Sequence, residues 1–172
     1  MVCDLESATV DEVAGAIAEA DAAVFAAGAG PGSGAERKLT MDRDGAVKLL
    51  RAAARAGAPR FVIVSAMGAE DPPEGEDVYS IYQRAKAEAD QAVQASDRQW
   101  TIVRPGGLTD DAGRGRVRIE ASPFRGQVSR DDVAAVLAVV LSDERFSGRV
   151  IYVNGGDDPI EQALEQVLTR QP

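Results

Sequence analysis

The sequence predicts a doubly wound α/β domain with a parallel sheet, and three observations carry the prediction. Short apolar, β-branched runs alternate with longer segments of helical periodicity. Each run is apolar on both faces, as a strand covered by helices on both sides must be. No repeat or interdomain linker interrupts the 172 residues, a length that suits one domain with a substantial core. The order reads αβαβαβ(loop)αβα.

Taken in order, Thr9-Val-Asp-Glu12 announces the first helix as a capping box, and Val13 and Ile17 then share one face. Residues 22–26 form the first strand. The glycine-rich Gly30-Pro-Gly-Ser-Gly-Ala35 after it spells G-x-G-x-x-A, but a phosphate-binding turn also needs a helix directly after it and an acid ending the next strand. Residues 35–40 read as a charged connector and the next strand, 60–65, ends in Ser65, so the pattern reads as a flexible loop. A helix over 40–56 stops at Gly57. Asp42 and Asp44 complement its dipole, and Gly45 allows close packing on the sheet. The acidic stretch 70–77, with two prolines, reads as solvated, and a helix covers 78–95. A strand at 100–104 leads into an excursion over 106–127 with short strands near 116–120 and 124–128; such excursions at the carboxyl end of a sheet build pockets. Ser129 caps a helix running through Val140, with Arg130, Asp131 and Asp132 as cap and surface ion pairs. After a strand at 149–153, Asp158-Pro159 sets a capping acid before a proline in the first helical position.

Composition narrows the function. A chain 45% hydrophobic and 27% charged folds, and a net charge of −9 with scattered basic residues argues against nucleic acid as a partner. Histidine is absent, and the single Cys3 permits neither an internal disulfide nor a zinc cluster, so no metal site is expected. Cys3 reads as a small buried hydrophobe in a reducing compartment. With no signal-peptide pattern and no apolar run of spanning length, the expected location is cytoplasmic, away from membranes.

The residues that carry chemistry lie around the middle strands. Tyr82-Gln-Arg-Ala-Lys86 puts a phenol and an ammonium on one helical face. A nearby ammonium favours phenolate and makes a usable proton donor and acceptor of a side chain that ordinarily titrates near ~10. Tyr79 is the rival, but four residues on it meets Gln83 rather than lysine. Ser65 ends a strand, where its hydroxyl reaches a substrate carbonyl. In Arg104-Pro105-Gly106-Gly107-Leu108 the proline removes an N–H and the glycines let backbone approach a planar ligand.

In this order, "VFAAGAGPGSG", "YQRAKAEAD", "WTIVRPGGLTDD" and "VSRDDVAAVLAVVL" resemble successive blocks of the atypical short-chain dehydrogenase/reductase family, nearest its NAD(P)-binding, NmrA-like branch. The resemblance implies a Rossmann-like fold, NADP or NAD as cofactor and a small-molecule substrate. It makes Tyr82 the acid/base, Lys86 the ribose-binding partner and Ser65 the orienting hydroxyl. It sets Pro105, Gly106, Gly107 and Leu108 at the nicotinamide edge, Ala26, Ala27 and Gly28 beside the adenosine, and Asp4 and Leu5 at the adenine. Asp4, Ala27, Gly28, Ser65, Tyr82, Lys86 and residues 105–108 are expected to line one crevice at the carboxyl ends of the strands. The opening "MVCDLE" resembles the end of the family's third strand. Residues 1–172 are therefore expected to form one partial, N-terminally truncated NAD(P)-binding domain without the first two strands and Gly-rich turn. Such a chain would leave the edge at 22–26 unpaired, bind dinucleotide weakly or not at all, and self-associate through that edge. Three functions stay open: an oxidoreductase or sugar-epimerase-like enzyme in full-length form, a dinucleotide-sensing regulator without turnover, and an inactive fragment.

Overall fold

Alternation along the central strands builds the architecture. In the computed structural model, which describes residues 2–170, strand β2 (Arg60–Val64) sends Phe61 and Ile63 into one apolar cluster and Val62 into another on the opposite face. It pairs in parallel with β1 (Ala22–Phe25) on one side and β3 (Gln99–Pro105) on the other; β3 pairs in parallel with β7 (Arg149–Gly155). The short strands β5 (Arg116–Glu120) and β8 (Asp158–Pro159) extend the sheet antiparallel, in the order β1-β2-β3-β7-β5-β8. A separate parallel pair joins β4 (Gly107–Thr109) to β6 (Gln127–Ser129) inside the excursion after β3. Among the described residues β1 pairs on one side only.

Helices cover both faces, as the doubly wound prediction requires. On one side α1 (Val10–Ala16), α3 (Ala46–Ala56) and α4 (Val78–Gln94) supply Val13, Leu49, Leu50, Ala89 and Val93 to the first cluster. On the other, α5 (Arg130–Ser142) and α6 (Ile160–Arg170) supply Val133, Val136, Val140, Leu164 and Val167 to the second. The Thr9–Glu12 capping box is formed in full, and Gly57 ends α3 at φ 78°, a left-handed turn that a side chain would strain.

Several expectations are corrected. The helix expected from residue 40 begins directly after Gly34: α2 (Ala35–Arg37) runs into a π-helical segment, Lys38–Gly45, which continues as α3. The supposed charged connector is thus helical, its charges lying along a solvent-facing first turn. Asp158-Pro159 forms β8 rather than a helix start, because it pairs with Arg116 and Val117; proline is tolerated there at the sheet's edge. Asp132 is no surface ion-pair partner. It is 5% exposed, and its carboxylate accepts N–H groups from Arg114 and Gly115 and the Ser129 hydroxyl, pinning the excursion to α5.

Candidate functional site

The site forms where β1, β2 and β3 end, the position at which α/β sheets collect ligands. The Ser65 N–H extends the ladder by donating to the Val103 carbonyl, which presents its side chain just past β2. Helix α4 supplies the rest. Asp77 caps it by accepting the Tyr79 and Ser80 N–H groups, and residues four apart then share the face turned to the sheet.

Lys86, only 3% exposed, donates from Nζ to the Val64 carbonyl at 2.7 Å, lies 4.0 Å from Asp42 Oδ1 and stands 5.6 Å from the Phe25 ring centroid. Burial pushes its pKa down, opposed by the carboxylates of Asp42 and Asp90. Asp42, on the π-helical segment, is buried too, and its Oδ2 accepts the Ala29 N–H at 3.2 Å. The sequence reading treated Asp42 as a first-turn aspartate; the earlier helix start places it inside, where it ties the backbone after β1 to Lys86.

A second buried network lies behind Ser65. Its Oγ donates to Asp90 Oδ2 at 2.7 Å, and the same oxygen accepts Arg104 Nε at 3.1 Å and Nη2 at 2.9 Å. Arg104 Nη1 goes on to Tyr152 Oη and Glu70 Oε2, so Glu70 is anchored to β3 rather than simply solvated. Among the described residues the buried Asp90 Oδ1 has no partner, and burial pushes this carboxyl's pKa up against the pull of Ser65 and Arg104. Sequence reasoning did not single out Asp90, and it named Arg104 only as the start of the 104–108 turn, with no role of its own. The available signal was the i, i+4 step from Lys86 to Asp90, which puts a second ionic group on the face turned to the sheet.

Tyr82 is half-buried, and its hydroxyl has no hydrogen-bond partner among the described residues. Burial, then Asp42, Tyr79 and Asp90, push its pKa up to about 12. This corrects the expected phenolate. The ammonium of Lys86 is engaged with Val64 and Asp42, and the cation nearest the ring is Lys38, 5.2 Å from its centroid.

Two hollows meet here. A cavity of about 370 Å³ holds Ala26, Ala27 and Gly28 on one wall and Asp42 and Lys86 on its floor, with Lys38 and Arg130 as further cations. A larger one, about 750 Å³, is walled by Met67, Tyr79, Gln83, Pro105, Gly106, Gly107 and the Phe124 segment. Ser65, Tyr82 and Leu108 line both. Gly106 is required at this wall, since a Cβ there would run into Asn154 Oδ1 and the Gly126 carbonyl. The expected single crevice is therefore a pair of joined cavities, and Asp4 and Leu5 lie outside it. Asp4 lines a separate hollow beside α1, its carboxylate held below the usual range by the Glu6 N–H and Ser7 hydroxyl. Leu5 packs on the first apolar cluster and its carbonyl accepts Lys48 Nζ.

The profile of an NAD(P)H-binding family matches residues 1–144 of the chain. A Bacillus subtilis protein named as an uncharacterized sugar epimerase is 38% identical over 157 residues, covering 91% of this chain and 73% of that protein. Among solved structures, a Bacillus halodurans protein provisionally named an NAD-dependent epimerase/dehydratase superposes with a TM-score of 0.88 at 35% identity, over 96% of this chain and 77% of that one. An oxidoreductase of Lactococcus lactis superposes with a TM-score of 0.89 at 28% identity, over 100% and 78%.

Proposed function

The chain belongs to the NAD(P)H-binding family, and on that premise we propose that the smaller cavity receives the nicotinamide-ribose part of NAD(P)H and the larger one a small carbonyl or alcohol substrate. The observation that carries this reading is the junction, where Ser65, Tyr82 and Leu108 border both cavities. The residues fit the cofactor. Gly28 lets the backbone pass close to Asp42, since a Cβ there would stand 3.1 Å from Asp42 Oδ1, and Lys38, Lys86 and Arg130 put positive charge around a phosphate-bearing ligand. Bound NAD(P)H supplies a hydride, or its oxidised form takes one up. In this reading Tyr82 holds the proton exchanged with the substrate oxygen, and Lys86 holds ribose hydroxyls. Ser65 orients the substrate, and Pro105, Gly106, Gly107 and Leu108 border the nicotinamide. Oxidoreduction and epimerisation both follow from that arrangement.

A second reading is favoured by two observations. The Lys86 ammonium is committed to Val64 and Asp42 and the Tyr82 pKa is pushed up to about 12, which suits an NmrA-like protein that binds the dinucleotide without turnover. The deciding experiment titrates NADPH while following Trp100 fluorescence, then follows NADPH absorbance with a panel of quinones and hydroxycarbonyl compounds. Saturable binding with turnover supports the enzyme, and saturable binding without it supports the sensor. Absence of binding rejects both.

A further inference from the structure

We infer that the ligand of the larger cavity is an α-hydroxycarbonyl compound, in which a hydroxyl donor sits on the carbon next to the carbonyl, or the diol formed by its reduction. The inference rests on the larger cavity being the substrate site, and it comes from counting protons at the cavity walls. Ser65 has one hydroxyl proton, and it lies on Asp90 Oδ2. That oxygen also receives two N–H groups from Arg104, so it is an acceptor whatever the charge of Asp90; a proton on this carboxyl would have to sit on Oδ1. Toward the junction Ser65 therefore offers lone pairs only. This reverses the role expected of it, since a donor to a substrate carbonyl needs a free proton.

The amide and backbone donors of the neighbouring walls are committed as well, while the Tyr79 hydroxyl proton and the Arg125 guanidinium remain as donors elsewhere on the larger cavity. Gln83 Nε2 donates to the Met67 carbonyl and to Tyr79 Oη, leaving its amide no proton for a ligand. The backbone N–H groups of Met67, Gly68, Gly106 and Gly107 are bonded to Pro105, Glu70, Val153 and Gly126. Among the described residues, Ser65, Tyr82 and Leu108 border both cavities, and of their side chains Tyr82 has the uncommitted donor. A plain ketone accepting from Tyr82 would turn no donor toward Ser65 and leave its lone pairs unpaired. A neighbouring hydroxyl on the ligand fills that gap. Met67, Leu108 and Phe124 give such a ligand an apolar surround.

The test uses a matched pair of probes, 2-hydroxyacetophenone and 2-methoxyacetophenone, which share ring and carbonyl and differ in the donor. Both are titrated by calorimetry into the 172-residue chain and its Ser65→Ala variant, with and without NADPH. The hydroxy probe should bind at least about tenfold tighter than the methoxy probe, as expected of a site built to pair a hydroxyl. In Ser65→Ala the two should come within about twofold, since the acceptor is gone. Equal affinities in the wild type, binding of neither probe, or a preference that survives Ser65→Ala would overturn the inference. If the variant does not fold, the wild-type preference decides alone. The NADPH titration reports separately on the dinucleotide site, so failure there leaves the probe result readable.

Discussion

Removing the carboxylate of Asp90 should cost far more stability than removing a surface aspartate. Asp90 and Arg104 expose only 2% and 7% of their side chains, and Asp90 Oδ2 collects three hydrogen bonds, two of them from the guanidinium. Breaking such a buried pair from one side costs about 3–5 kcal/mol, because a charge is left without its partner. Arg104 keeps Glu70 and Tyr152, so Asp90→Ala belongs at the lower end, about 3 kcal/mol. With a urea slope of roughly 2 kcal/mol/M, the unfolding midpoint should fall by about 1.5 M at unchanged slope. The double variant Asp90→Leu/Arg104→Met replaces the pair with apolar groups of similar size and should recover most of that loss. A cost under about 1 kcal/mol for Asp90→Ala, or a double variant as unstable as the two singles summed, would refute the reasoning.

In an alkaline titration read by phenolate absorbance, Tyr82 should ionise with its pKa raised to about 12. Its folded pKa is raised, so its contribution to stability is complete below about 10 and is lost as the pH climbs toward 12; Tyr82→Phe should delete that phase. The same variant should lose most turnover on any carbonyl compound the protein reduces while keeping its NADPH affinity, whereas Lys86→Ala should weaken both; kcat and NADPH Kd measured side by side decide it. The outer edge of β1 carries unpaired backbone groups among the described residues, so light scattering should show the 172-residue chain self-associating with rising concentration. Val24→Lys should suppress it.

Legibility tracked how local the cause was. The Thr9–Glu12 box and the Gly57 stop depend on neighbours in sequence and stand where their spelling put them. The alternation of Phe61, Val62 and Ile63 announced a strand covered on both sides. Asp158-Pro159 spelled a helix start, yet its fate was decided by a partner some forty residues earlier, at Arg116 and Val117. At the candidate site, the spacing of Tyr82 and Lys86 put both on one helix face, and both line the smaller cavity. What it did not disclose was where the ammonium points, because Asp42 and the Val64 carbonyl reach Lys86 only through tertiary packing. Asp42, Asp90 and Arg104 look like solvated charges in an acidic sequence, and burial alone turns them into fixed internal hydrogen-bond partners.

The π-helical segment Lys38–Gly45 gives this stretch slack in its length. A wide turn holds one more residue than α-helical pairing would, and such turns concentrate at functional sites. Deleting one residue between Lys38 and Gly45 would let the backbone relax into an uninterrupted α-helix. Because the residue lost is the extra one, the parts before and after the deletion would keep their relative facing. A deletion just after Asp42 would leave Lys38 and Asp42 turned to the cavity they line and the apolar face of α3 seated on the sheet. The wall that holds Lys86 is thus tolerant of a one-residue loss here, which a segment already α-helical could absorb only by rotating one part against the other by about 100°.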